Sequence, residues 1–507
     1  MTPTLIGGVV VAIGLLLLFT ASRLAMLGFV LVCSLFNGSA TVILTALGNV
    51  SIQPALTATG FLLLRCLLPG RRREPLLGAS LADNGWLLVF AAYSIAGAYT
   101  LPFLFRGAIA VVPLRPTTGP SGLVTLPLQF TTQNITTSVY IALSAVGAVC
   151  AHMAMRRADA APRIARLASV LALSHAAIGW FAALVNHTPA AVVIGFLRNG
   201  YYRQLDQSFD GYARLTGISP EPSQYASYGF VWFVFVTELW LRNIDRRWSG
   251  PAALALFVTL LASTSSTAYV GLTGYGAVLA VRQIYFARTI PLRKSIAIAA
   301  CILTLAGCGL ALIAGSDQLA RAIGRVLRLS TADKLESGSG IARMFWAMQG
   351  FSAFLHSWGL GIGVGSFRSS SIVTAILGSS GVIGITAFAV YLGRVFRPFT
   401  GATYRRSGVV AADVATAATW AVLLALVPAS VSAPSPDPGL VWGLLAGTAL
   451  GLRRLVSGRY LGSHDAAAAS TASIPVRVGH EAGGRSGYRA GPGKLRPASP
   501  ATDPHPA

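Results

Sequence analysis

The chain has 507 residues, 54% hydrophobic and 11% charged, with a mean hydropathy of +0.64. A soluble domain carries about 25% charged residues, so the deficit excludes a chain solvated mainly by water and makes length a poor guide to domain number. The formal net charge of +23 does not imply a nucleic-acid partner. Its basic residues fall in short clusters between apolar runs, where membrane orientation places them.

The first apolar run, LIGGVVVAIGLLLLFT, resembles a signal-peptide core but lacks a basic leading region and passes straight into a second run. It reads as a retained span. A crossing helix needs about 20 apolar residues. Such runs lie near 5–21, 24–47, 51–69, 84–105, 134–155, 165–186, 224–241, 250–265, 267–282, 295–315, 371–393, 410–430 and 440–455. They predict an all-α, polytopic membrane bundle over 1–455, with roughly twelve or thirteen transmembrane helices. Residues 456–507 turn to alanine, serine, glycine, proline and scattered arginine. That composition predicts a disordered, basic cytoplasmic tail able to touch anionic lipid. Cys33, Cys66, Cys150, Cys301 and Cys308 all lie in apolar segments with no CxxC pair, which argues against a zinc site or a disulfide framework.

Arginine-bearing stretches at 71–73, 156–157, 242–247, 282–294, 405–407 and 453–454 follow alternate spans. They predict that those ends, and the C-terminus, face the cytoplasm. The opposite, periplasmic side then receives the longest connections, near 106–133, 187–223 and 316–370. Long connections usually carry function.

Two of these connections are informative. In ARLTGISPEPSQYASYGF, Ser219 with Pro220, Glu221 and Pro222 is a helix-start signature, with Ser219 as capping hydroxyl and Glu221 near the positive end of the dipole. On spacing alone, Glu221 complementing the dipole and Arg214 pairing with it is as good an account as a functional one. Arg198, Arg203 and Arg214, on a side where positive charge is disfavoured, weigh toward anion binding, since a guanidinium fork suits phosphate oxygens. Tyr201 and Tyr202 fit an aromatic belt at the membrane interface. In the second connection, apolar residues between Ile341 and Phe354 recur at helical spacing, which predicts an amphipathic helix on the membrane with Arg343 near its start. GLGIGVGS at 359–366 lacks the Gly-Lys-Ser/Thr ending of a phosphate-binding loop, so closely packed backbone is expected there, with Arg368 just beyond it.

RLTGISPEPSQYASY at 214–228, together with SGIARMFWAMQGFSAFLHSWGLGIGVGSFRSSS at 339–371, resembles the O-antigen ligase/polymerase superfamily, and most of all its Wzy-type O-antigen and exopolysaccharide polymerases. The likeness covers about 210–385 by motif and the rest by topology. It implies a bundle related to membrane glycosyltransferases of the GT-C class, in the bacterial inner membrane with a periplasmic active face. Its substrate would be an undecaprenyl-diphosphate-linked oligosaccharide, and its partners inner-membrane lipid and a chain-length regulator. Ligases of the superfamily carry His-Asn or His-Ser, nine residues, then Gly-x-x-Gly. Here the frame is Ser370-Ser371, nine residues, then Gly381-Val-Ile-Gly384. A serine without a partner is no base near neutral pH, so the departure favours a polymerase. His356 nearby reads as structural.

On this resemblance Arg214, Arg343 and Arg368 are the expected diphosphate ligands, with Arg203 a fourth. Loss of one would cost about 3 kcal/mol. Arg214 and Arg343 also count as catalytic through charge stabilisation, and Glu221 is the expected base. No Asp/Glu/His cluster suits a divalent ion, so neither metal nor cofactor is expected. The ligase is one alternative. A lipid-linked sugar transporter or flippase is another, against which Arg65, Glu238 and Asp413 lie singly or near span ends. A scaffold of a polysaccharide assembly complex is the third.

Overall fold

Long apolar runs broken by glycine, proline and arginine fold here as helices, because a backbone in lipid must satisfy its hydrogen bonds within each segment. The computed structural model describes residues 1–68, 76–114, 123–201, 208–209, 212–285, 291–314, 338–397 and 410–472. By internal contacts the chain divides into two units, Met1–Tyr460 and Leu461–Ala507. In the second, the last helix continues to Ala472, well past the boundary expected at 455. The rest of the expected tail lies outside the described residues.

In chain order the helices are α1 (Leu5–Thr20), α2 (Arg23–Cys33), α3 (Pro54–Leu67), α4 (Leu76–Asp83), α5 (Gly85–Leu104) and α6 (Thr132–Ala154). There follow α7 (Ala160–Leu184), α8 (Ala191–Leu197), α9 (Pro222–Leu241), α10 (Arg246–Ala262), α11 (Ser266–Tyr285) and α12 (Leu292–Ala314). The set closes with α13 (Gly338–His356), α14 (Ile372–Phe396), α15 (Val410–Ala429) and α16 (Leu440–Ala472). Among the described residues six of these are long and apolar enough to cross a membrane: α5, α6, α7, α14, α15 and the first part of α16. They mark the chain as a membrane protein, mostly helical and polytopic.

Six is fewer than the twelve or thirteen crossings expected. One reason is that α2 and α3 hold only 11 and 14 residues, about 16 and 21 Å at 1.5 Å per residue, short of a roughly 30 Å hydrocarbon core. The run expected to be helical over 24–47 stops at Cys33. Beyond it, Val42–Leu44 pairs antiparallel with both Thr2–Pro3 and Val50–Ile52, a small sheet capping this end of the bundle. Gly38 causes part of the break: a Cβ there would lie 1.9 Å from the Ile218 carbonyl oxygen, so only glycine lets the two connections touch.

Helix α9 sits at the centre, packed on α7, α10, α11 and α15. Its aromatic run is buried almost all round, with Phe230, Trp232 and Phe235 fully enclosed. Helix α16 lies directly on α6 through Gly443, Gly447 and Gly451. A Cβ at these would meet the carbonyl oxygens of Ser144, Ala148 and His152 at 2.3, 2.0 and 2.6 Å. Small residues at four-residue spacing are how lipid-embedded helices approach this closely.

The two ends of the bundle differ in chemistry. At one end Arg454 and His152 reach Asp83, Arg394 donates to the Ala82 carbonyl, and Arg166 pairs with Asp245. Here too Glu238, fully buried, pairs with Arg242 and with Arg282 (2.6 Å) and accepts from the Tyr275 hydroxyl (2.9 Å). Asp413 lies 3.9 Å from Arg242. Glu238 and Asp413 are therefore members of one shared network, not the single, snorkelling charges expected from the sequence. Arg65 does satisfy that expectation, donating to the Ala21 carbonyl at 2.8 Å.

Candidate functional site

The opposite end is built from connections that the sequence left far apart. Arg198, at the end of α8, donates to the Gly217 carbonyl and the Thr216 hydroxyl, so it staples its own loop. That stapling presents Arg214, half-buried, whose Nη2 donates to the Thr264 carbonyl at 2.9 Å. Helix α9 then begins at Pro222, with Glu221 in the capping position and proline at N1. The cap expected of Ser219 is not made, because the proline pair shifts the start two residues on; Ser219 is buried in the preceding turn. The Glu221 carboxyl caps nothing and instead accepts from the Ser223 hydroxyl at 2.6 Å.

The second connection enters through α13. Ile341, Met344, Phe345, Met348, Phe351 and Leu355 form an exposed stripe, while Ala342, Gln349 and Ala353 are buried against the bundle. The apolar face thus points away from the protein, as an interfacial helix requires. Arg343 lies on the inner side, where its Nη1 donates to the Ser266 hydroxyl at 3.2 Å. Thr264 and Ser266 flank one short turn between α10 and α11, so a single turn anchors both Arg214 and Arg343.

Past α13 the chain runs through Gly359, Gly361, Gly363 and Gly365, all at positive φ (79–90°). A Cβ at Gly361 would lie 2.5 Å from the Ser379 backbone, and one at Gly365 2.3 Å from the Gln133 carbonyl oxygen. This is tightly threaded backbone and not a phosphate cradle, since its amides are spent on the bundle: Ile362 and Gly363 donate to the carbonyls of Gly378 and Ser379 at 2.8 and 3.0 Å. Gly381, with φ 59°, kinks α14 to make room. The thread delivers Arg368, whose amide binds the Val112 carbonyl (2.9 Å) and whose guanidinium lies 4.4 Å over the Trp346 ring. Ser370 donates its hydroxyl to the Arg343 carbonyl, so it positions the arginine helix and is not free to act as a base. His356 is exposed at the end of α13, its Nδ1 facing the Ser352 carbonyl of its own helix at 2.8 Å.

Arg343 thereby comes within range of the charges of Arg214, Glu221 and Arg368, and Arg214 within range of Glu221. Burial, and then repulsion from Arg343, hold the Arg214 guanidinium below the usual arginine range, with Glu221 pulling the other way. Burial also lowers Arg343, where Glu221 raises it and Arg368 lowers it further. Guanidinium groups stay protonated despite such shifts. Among the described residues the result is three cations and one carboxylate in a partly dehydrated place. Arg203 lies outside the described residues.

Glu221 also forms part of the wall of a cavity of about 380 Å³ on this end of the bundle. Asn37, Gln53, Tyr140, Gln224 and Asp437 contribute to the same wall. Among the described residues no three His, Cys, Asp or Glu side chains gather so as to hold a metal ion. The sequence reading overlooked the Thr264–Ser266 turn, Trp346 and Asp437. Their signals were slight: a serine- and threonine-rich break between two apolar runs, an aromatic three residues from an arginine, and an acid set between prolines in a chain poor in acids. Comparison with protein-family models, curated proteins and solved structures finds no match to this chain.

Proposed function

We propose that this chain is a membrane glycosyltransferase of GT-C-like architecture. In this reading it polymerises undecaprenyl-diphosphate-linked oligosaccharide repeat units into O-antigen or exopolysaccharide at the periplasmic face of the bacterial inner membrane, with its C-terminus in the cytoplasm. The observation that carries the reading is the meeting of Arg214, Arg343 and Arg368 with Glu221 at the end of the bundle away from the paired arginines. A diphosphate offers anionic oxygens of the kind that guanidinium groups bind in paired, charge-assisted hydrogen bonds. The apolar stripe on α13 supports a lipid-borne substrate, because it lets the arginine helix lie beside the chain that carries the diphosphate.

In the reaction, the terminal hydroxyl of one lipid-linked unit attacks the anomeric carbon of another from the face opposite the diphosphate, inverting that centre. Charge grows on the departing diphosphate, where Arg214, Arg343 and Arg368 stabilise it more in the transition state than in the ground state. No metal is required in this scheme, since the arginines supply the positive charge. Ser370, bound to a backbone carbonyl, offers no base for ligase chemistry.

The test is turnover by the purified protein in vesicles supplied with lipid-linked repeat units. A ladder of lengthening, lipid-linked glycans is expected. Single transfer to a lipid A-core acceptor would make it a ligase, and movement of the lipid across the bilayer without glycan growth would make it a transporter. Either result overturns the polymerase reading.

A further inference from the structure

The cavity beside Glu221 has a second acid, and its geometry is that of a base. Asp437 lies between Pro436 and Pro438, in the connection from α15 to α16, followed by Gly439 at φ 96°. Its Oδ1 accepts from the Ser144 hydroxyl (2.9 Å) and from the Gly439 amide (3.0 Å). Among the described residues Oδ2 has no donor, and the residue lines the cavity. One oxygen is thus held by two donors while the other is open. The glycine ladder that seats α16 on α6 fixes this arrangement, because Ser144 belongs to the same contact. The connection is also tied to the arginine side: the Ser369 amide donates to the Pro434 carbonyl at 3.0 Å, next to Arg368.

The cavity walls suit a sugar. Asn37, Gln53 and Gln224 bring side-chain amides, and the Asn37 Oδ1 is buried with no hydrogen-bond partner among the described residues. Its volume of about 380 Å³ falls within the roughly 300–1,000 Å³ of small-molecule sites. We propose that this cavity receives the terminal sugar of the acceptor and that Asp437 Oδ2 takes the proton from its attacking hydroxyl. The inference rests on the transferase reading above and moves the base role from Glu221 to Asp437. Glu221, which lines the cavity and lies within charge range of Arg214 and Arg343, marks where the two substrates meet.

The step balances without a further reagent. The acceptor oxygen forms a bond to the anomeric carbon while the bond from that carbon to the phosphate oxygen breaks. The electron pair leaves with the diphosphate, facing the arginines, and the hydroxyl proton goes to Asp437. Burial pushes the Asp437 carboxyl above the usual carboxylate range, which strengthens it as a base. Among the described residues the other titratable groups on the cavity wall are Glu221, Tyr140 and Tyr228. Turnover needs the ionised carboxylate, so it rises with pH through that elevated value.

The experiment uses the full chain in vesicles with lipid-linked repeat units, and reads inhibition by geranylgeranyl diphosphate alongside turnover. Asp437→Asn keeps an oxygen for Ser144 and Gly439 but removes the base. It should lower turnover about a hundredfold and leave inhibition by the prenyl diphosphate unchanged. In Asp437→Ala, added formate should restore part of the rate, an effect that a merely structural role would not produce. Wild-type turnover in Asp437→Asn, or loss in Asp437→Ala that formate does not relieve, overturns the assignment while leaving the transferase reading in place. If the wild-type protein itself lengthens no glycan, both fall.

Discussion

At its C-terminal end α9 buries Glu238 against Arg242, Arg282 and Tyr275, with Asp413 close by. At its N-terminal end Glu221 lies within charge range of Arg214 and Arg343, and Arg368 within range of Arg343. Among the described residues the first set holds two guanidinium groups and two carboxylates, the second three guanidinium groups and one carboxylate. A low-polarity interior makes unbalanced charge expensive, so a neutral set is what stability alone would produce. Among the described residues the second set is the more cationic of the two, and the proposed function assigns that excess to an anionic substrate.

Breaking the balanced end should have the largest effect on the fold. Glu238→Ala leaves Arg282 and Arg242 buried without their carboxylate and should cost about 3–5 kcal/mol. A clear fall in melting temperature in detergent is the readout, and an unchanged one would deny that the network is structural. At the other end Arg343→Ala should remove about 3 kcal/mol of transition-state stabilisation, roughly a hundredfold in kcat/KM. Its melting temperature should stay close to wild type, because repulsion with Arg214 and Arg368 is relieved as the Ser266 contact is lost. A fall as large as that of Glu238→Ala would erase the distinction between the two ends.

Smaller changes sharpen the comparison. Trp346→Leu removes the ring under Arg368, worth about 0.5–2 kcal/mol, and should lower kcat/KM by about twofold to about thirtyfold. Wild-type kinetics would mean that Arg368 needs no such support. Ser370→Ala deletes one hydrogen bond to the Arg343 carbonyl, about 1 kcal/mol of stability, and should keep most of the turnover. Complete loss of turnover in a folded protein would place the serine in the chemistry after all.

Much of the bundle was legible because hydropathy and helix signals are local. Helices α5, α6, α7, α14 and α15 fall within a few residues of the runs that predict them. The 24–47 run failed because valine and isoleucine serve a strand as well as a helix, and Gly38 decides between them only through its contact with Ile218. Arg214 could be chosen from the sequence as a cation in a connection expected on the side where cations are disfavoured, and Arg343 and Arg368 from the resemblance. Their meeting could not, since it depends on one turn at 264–266 that carries no charge of its own. Asp437 was hidden for a related reason: its meaning comes from Ser144 on a helix nearly three hundred positions earlier.

The most direct measurement is binding of geranylgeranyl diphosphate and geranylgeranyl monophosphate to the purified protein in detergent, for wild type and for the Arg214→Ala/Arg343→Ala double variant. Saturable binding by wild type with preference for the diphosphate, weakened at least about tenfold in the double variant, is the predicted result. Equal affinity in both proteins, or no preference for the second phosphate, would contradict the assignment of these arginines to a diphosphate.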